Sequence, residues 1–122
     1  MTTVTRRETQ LYFEDVTPGS VIKPLTKGPI TNVQLCQWAG ASGNMHRIHY
    51  DRDFALRDRL PDVIMHGPLK EACAVQMMVD WIGDGGHLLK IVFRHRAMHI
   101  PGDTLRYEGK VTNTYVKNKM GF

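Results

Sequence analysis

The sequence predicts an α+β fold in which strands pair antiparallel around one central helix. Three observations carry this reading. A largely apolar stretch from Gly67 to Ile82 has helical length and ends at Gly83. Residues 88–100 alternate apolar and polar side chains, and so do residues 105–114. Pro101-Gly102-Asp103 stands between the two alternating runs as a turn.

The central helix starts where proline suits a first turn, at Pro68, and beyond Lys70 and Glu71 only Gln76 and Asp80 break its apolar surface. A helix apolar on most sides is usually buried. Leu89, Ile91, Phe93, His95 and Ala97 share one strand face, with Lys90, Val92, Arg94, Arg96 and Met98 on the other. The run over 105–114 is expected to lie antiparallel to the run over 88–100. Upstream, Pro18-Gly19 turns into a short strand at about 20–25, and Lys27-Gly28-Pro29 makes a second turn. Thr31 is a plausible N-cap for a helix from Asn32, with Val33, Cys36 and Ala39 on its apolar face and Gly40 or Gly43 ending it. Residues 42–50 fit neither period and read as an ordered loop. Asp51 or Asp53 then caps a short helix that Pro61 stops. Residues 1–11 are polar and read as loosely held.

The chain of 122 residues is expected to be one domain. Hydrophobic residues at 42% and charged residues at 23% are ordinary for a globular protein, which argues against a disordered or fibrous chain. No apolar run approaches the ~20 residues of a membrane span, and the polar start lacks a signal peptide's apolar core. A cytoplasmic location is the default expectation, with no membrane partner. Cys36 and Cys73 read as buried free thiols inside helices, and no Cys or His spacing suggests a metal site. The net charge of +4 suits an anionic partner without naming one. The basic residues are dispersed, and no nucleic-acid-binding signature accompanies them.

Four stretches, in order, resemble the MaoC-like acyl dehydratases: Tyr12 to Gly19, Ser42 to Asp51, His66-Gly67-Pro68-Leu69, and Pro101 to Leu105. The second carries the chemistry. The family's hydratase motif reads S-G-D-x-N-P-I-H-x-D, and this chain gives Ser42-Gly-Asn-Met-His-Arg-Ile-His-Tyr-Asp51. The motif's histidine falls on His49 and its aspartate on Asn44. A sub-branch reading N-x-H-R-I-H-Y-D, similar to 3-hydroxyacyl-thioester dehydratases, also lacks that aspartate.

The resemblance implies a hot-dog fold, a curved antiparallel sheet wrapped around the central helix. It also implies an enzyme that interconverts 2-enoyl and 3-hydroxyacyl thioesters on coenzyme A or an acyl-carrier protein. No separate cofactor is expected, because coenzyme A or phosphopantetheine belongs to the substrate. Relatives generally continue past Phe122 with one or two strands, so the expectation for 1–122 is a domain short of its last strands or completed by a neighbouring hot-dog subunit, as homodimer or heterodimer.

Dehydration of a 3-hydroxyacyl thioester needs an acid/base group and a stabiliser for the enolate oxygen. Histidine, with an unperturbed pKa near ~6.5, suits the first task, and His49 is the candidate; a hydrogen bond serving only loop structure is the alternative. Exposed amides at a helix N-terminus suit the second, and Gly67 lets a thioester approach closely, although it also reads as a turn glycine. Asn44 can orient a hydroxyl but cannot shuttle a proton at neutral pH. His46, Asp51 and His66 complete the candidate substrate-binding set, with Asp51 better suited to capping or orienting. Arg94 and Arg96, with Lys90, can meet phosphates, although a solvated strand face explains them equally. Met77, Met78 and Trp81 read as core or acyl-pocket lining, with core the better-supported reading.

Two other functions share the scaffold. One is a non-catalytic subunit of a heteromeric dehydratase, suggested by Asn44. The other is a thioesterase using Glu71, the only carboxylate near the start of the central helix.

Overall fold

The computed structural model describes residues 10–122. The reading of residues 1–9 as loosely held therefore lies outside the described residues. A 3₁₀ turn at Phe13–Asp15 precedes β1 (Val21–Lys27), α1 (Asn32–Ser42), α2 (Arg52–Arg57) and α3 (Gly67–Ile82). β2 (Leu105–Lys110) and a small hairpin of β3 (Val116–Lys117) and β4 (Met120–Gly121) follow.

The helices begin and end where local chemistry places them. Thr31 accepts from the Gln34 amide while the Gln34 side chain accepts from the Thr31 amide, a reciprocal cap that satisfies two donors at once. Gly43 ends α1 in the left-handed conformation, with φ 74°. Asp51, rather than Asp53, caps α2 by accepting from the Phe54 amide at 3.0 Å. Apolar side chains from α1, α2, α3, β2 and the linkers between them then close one core: Ile30, Leu35, Ala55, Val63, Met65, Cys73 and Leu105. Cys73 is buried as expected, but Cys36 is exposed, because Leu35 and Ala39 rather than Val33 and Cys36 form the inner face of α1.

The strands depart most from expectation. β2 pairs antiparallel with β1, Ile22 opposite Gly109 and Leu25 opposite Tyr107, and not with residues 88–100. The register slips between Ile22 and Leu25, where Pro24 has no N–H to give the ladder. Residues 87–100 form no strand at all. Leu89, Val92 and Met98 on this segment are exposed, at 72%, 74% and 56%. Alternation marks a segment fit for a sheet, but a strand exists only where a partner supplies the opposite ladder. Without it the segment lies as an arm against the start of α3, tied by Lys70 Nζ donating to the Ala97 carbonyl at 2.8 Å and the Met65 amide donating to the His99 carbonyl at 2.8 Å. Among the described residues this sheet has two strands, and α3 buries Cys73 and Met77 while Val79 is exposed.

Two turns lock together beneath the arm. The Ile30 amide donates to the Asp103 carbonyl, and the Gly102 amide to the Ile30 carbonyl, each at 2.8 Å. Gly28 sits at φ 137°, and a β-carbon there would lie 2.7 Å from Thr104 Cα, so both conformation and space demand glycine. Gly28→Ala is expected to lower unfolding free energy by on the order of 2 kcal/mol, read from urea titration.

Candidate active site

Three segments converge at the N-terminus of α3. The motif loop contributes a 3₁₀ turn over Arg47–His49, and the Ile64 amide donates to the Ile48 carbonyl at 3.0 Å, drawing this loop onto the segment that leads into α3. The arm arrives through the Met65–His99 bond described above. Ser42 shapes the loop's beginning: its hydroxyl donates to the Trp38 carbonyl at 2.6 Å and accepts from the Asn44 amide at 3.2 Å.

His49 and His66 form the centre of the arrangement. Their rings stack with centroids 3.7 Å apart and planes 19° from parallel. Both are buried, His49 at 7% exposure and His66 at 0%. His49 Nδ1 lies 2.7 Å from the Ile64 carbonyl oxygen. A carbonyl can only accept, so Nδ1 carries the proton and Nε2 keeps its lone pair in the neutral ring. His66 Nε2 lies 3.3 Å from the Asn44 carbonyl oxygen, so His66 takes the opposite tautomer. Its Nδ1 is buried without a partner. Burial, and then the neighbouring His49, hold the His66 imidazole below the ordinary histidine range, while the Asn44 carbonyl pulls the other way.

The remaining candidates divide into those near this stack and those with other work. Gly67 follows His66 directly and is the first residue of α3. The first amides of a helix have no intrahelical carbonyl, and since Pro68 has no N–H, Gly67 and Leu69 are the available donors. Asn44 reaches the stack through its main-chain carbonyl. His46 is exposed; its Nδ1 accepts from the Ile48 amide at 3.3 Å, and its ring meets His49 and Phe54 edge-on. Asp51 caps α2 and binds Arg47, which donates from Nη2 at 2.5 Å. The Phe54 amide first, and then Arg47, lower its carboxyl below the ordinary range. This is the capping role that the sequence already favoured for Asp51. His66 has no exposed surface where it stacks on His49.

Arg94 and Arg96 line an open groove of about 500 Å³ between the arm, α3 and β2, together with Lys70, Glu71, His95 and Arg106. Lys90 is not among its lining residues, because without a strand the expected face does not exist. A second groove, about 440 Å³, lies between α1 and α3 and is lined by Trp38, Met65, Leu69 and Cys73 among others. Neither groove is lined by His49 or Gly67 themselves. Met77 belongs to the core, as expected. Among the described residues, no group of three or more His, Cys, Asp or Glu side chains is placed to hold a metal ion, and no helix is long and apolar enough to cross a membrane.

Sequence reasoning missed the pairing of His95 with Glu71, at 2.7 Å. The two lie 24 residues apart, and no spacing signal connects them.

Residues 14–121 match the family described as MaoC like domain. The chain belongs to this family. Among solved structures it is similar to the ChsH1-ChsH2 complex from Mycobacterium tuberculosis, at 20% identity and a TM-score of 0.72, over 84% of this chain and 77% of that one. It is also similar to a MaoC-like dehydratase, at 24% identity and a TM-score of 0.55, again over 84% of this chain but only 26% of that one. These likenesses establish the α+β hot-dog fold. No curated protein matches the chain.

His66 gives this MaoC-like domain a pH dependence whose sign follows from its depressed affinity for protons. Below the ordinary histidine range near ~6.5 the unfolded chain binds a proton that folded His66 refuses, so this contribution destabilises the fold as pH falls from there toward the folded value. Asp51 acts in a separate window: its stabilisation is present above the ordinary carboxylate range near ~4 and is lost below it. The thermal midpoint is expected to drop between mildly alkaline and mildly acidic pH, and to drop less in His66→Gln, as followed by circular dichroism.

Proposed function

We propose that this chain is an acyl-thioester hydratase/dehydratase, interconverting 2-enoyl and 3-hydroxyacyl groups carried on coenzyme A or an acyl-carrier protein. The observation that carries the reading is the fixed tautomer of His49. A ring whose Nδ1–H is held by the Ile64 carbonyl presents an Nε2 lone pair, the form a general base requires. The adjacent start of α3 offers the Gly67 amide and the helix dipole to the developing enolate oxygen. Buried His66 stays neutral beside His49, so proton transfer at Nε2 meets no fixed positive charge in the stack.

Asn44 stands where the family motif has aspartate, and its carboxamide is assigned to orienting the 3-hydroxyl or water, with exposed His46 at the edge of the acyl site. Arg94 and Arg96 are assigned to the phosphates of the carrier, joined by Lys70 and Arg106 across the groove. A phosphate there needs no separate cofactor, because it arrives with the substrate. Compartment does not enter the chemistry, and the cytoplasm remains the expected site.

A second reading has one specific observation behind it. The arm over 87–100 exposes apolar side chains and has no strand partner among the described residues, and an edge of this kind suits pairing with another hot-dog subunit. One structural neighbour is itself a ChsH1-ChsH2 complex. On this reading the chain works as the non-catalytic half of a heterodimeric dehydratase, and the partner supplies what Asn44 lacks. A thioesterase built on Glu71 is less suited, since that carboxylate is already bonded to His95.

The deciding experiment follows loss of enoyl absorbance with a panel of 2-enoyl-CoAs, alone and with candidate partner subunits, and scores free thiol in parallel. Hydration by the chain alone, falling about 10²–10⁴-fold in His49→Ala, is the expected result. Activity only with a partner, unaffected by His49→Ala, supports the non-catalytic subunit, and thiol release supports the thioesterase.

A further inference from the structure

We infer that His66 is a positioning residue for His49: its ring sets the plane of the His49 imidazole, and so the direction of the Nε2 lone pair. The inference rests on the hydratase reading above. His49 Nδ1 donates to the Ile64 carbonyl at 2.7 Å. One hydrogen bond fixes a tautomer but not a plane, because the ring can still turn about that bond. A flat partner against one face removes this freedom. The His66 ring lies there, 3.7 Å away between centroids and 19° from parallel, near the ~3.5–4.0 Å at which carbon atoms attract best. A lone pair lies in the plane of its ring, so holding the plane keeps His49 aimed for proton transfer.

His66 is itself held on three sides. It has no exposed surface, its Nε2–H donates to the Asn44 carbonyl at 3.3 Å, and its main-chain carbonyl accepts from the Lys70 amide at 3.2 Å in the first turn of α3. The ring is not used for capping either: His66 occupies the N-cap position of α3 and makes no side-chain cap bond. That position usually holds a short polar side chain that does cap, so a buried histidine there calls for another role. The Ile64 carbonyl and the His66 ring belong to one short stretch, which the Ile64 amide ties to the Ile48 carbonyl and the Met65 amide ties to the His99 carbonyl. Both groups that hold His49 therefore keep a constant spacing. Histidine adds what an apolar ring could not, a bond to the motif loop at Asn44.

The test separates the ring from its hydrogen bond. His66→Gln keeps a donor for the Asn44 carbonyl and loses the ring, whereas His66→Phe keeps a flat ring and loses the donor. Hydration of 2-enoyl-CoA is measured for the full chain, with its partner subunit if one is needed, in wild type, both variants, His49→Ala and His49→Ala/His66→Gln. Proton exchange at the His49 ring N–H is followed by NMR in the same chains that keep His49. His66→Gln is expected to lower kcat about 10–100-fold with KM within about threefold, and to speed that exchange about tenfold. His66→Phe is expected to recover at least about fivefold of the lost rate and to restore protection of the proton. In a chain already carrying His49→Ala, His66→Gln is expected to cost no more than about twofold, because a residue acting through His49 has nothing left to position. Circular dichroism spectra matching wild type establish that the variants fold. A His66→Gln loss confined to KM, a His66→Phe chain no faster than His66→Gln, or a further fall of about tenfold on top of His49→Ala overturns the inference. A wild type that depends on His49 but is indifferent to His66→Gln overturns this proposal alone, whereas a wild type that hydrates no enoyl-CoA overturns the hydratase reading as well.

Discussion

Two main-chain carbonyls decide what this site can do. The Ile64 oxygen holds the proton of one imidazole on Nδ1, and the Asn44 oxygen holds the proton of its stacked neighbour on Nε2. Neither carbonyl can donate, so the tautomers are set by the course of the backbone and not by titratable neighbours. A histidine held by a carbonyl is also held in orientation, which catalysis by a loop residue needs. Burial, and then the neighbouring His49, hold the His66 ring of the 3.7 Å stack below the ordinary histidine range, which favours its neutral form.

That arrangement rests on the convergence of segments distant in the chain. The motif loop meets the approach to α3 through the Ile48 carbonyl, and the arm meets it through the His99 carbonyl. Behind them, Leu35, Ala55, Val63 and Met65 fill the space that keeps the loop from collapsing or drifting. The interlocked turns at Ile30 and Asp103 fix where β1 hands over to α1 and where the arm hands over to β2. The core therefore does two tasks at once, stabilising the domain and aiming His49.

What could be read from residues alone was the chemistry that is local. The Thr31 cap, the choice of Gly40 or Gly43 and of Asp51 or Asp53, and the Gly67–Gly83 limits of the central helix are legible within a few residues, because caps and helix ends are decided by nearby backbone groups. His49 was singled out by the motif frame, not by periodicity. Pairing was not legible: alternation over 88–100 shows which side chains share a face, but not whether another strand lies alongside. The same blindness hid the partners of His66 and His95. A buried stack and a histidine–carboxylate pair across 24 residues arise only once α3 gathers both segments around its first turn. Arg94 and Arg96 were singled out for charge and do share a groove, but their companions there are Lys70 and Arg106 rather than Lys90.

Everything proposed for catalysis depends on Nε2 of His49 being the bare nitrogen. Nitrogen-15 correlation spectra of the histidine side chains, recorded at mildly alkaline pH, report which nitrogen of each ring is protonated. The account predicts His49 with its proton on Nδ1 and His66 with its proton on Nε2. A His49 ring protonated at Nε2 instead would contradict it, since the candidate base would then have no lone pair to offer.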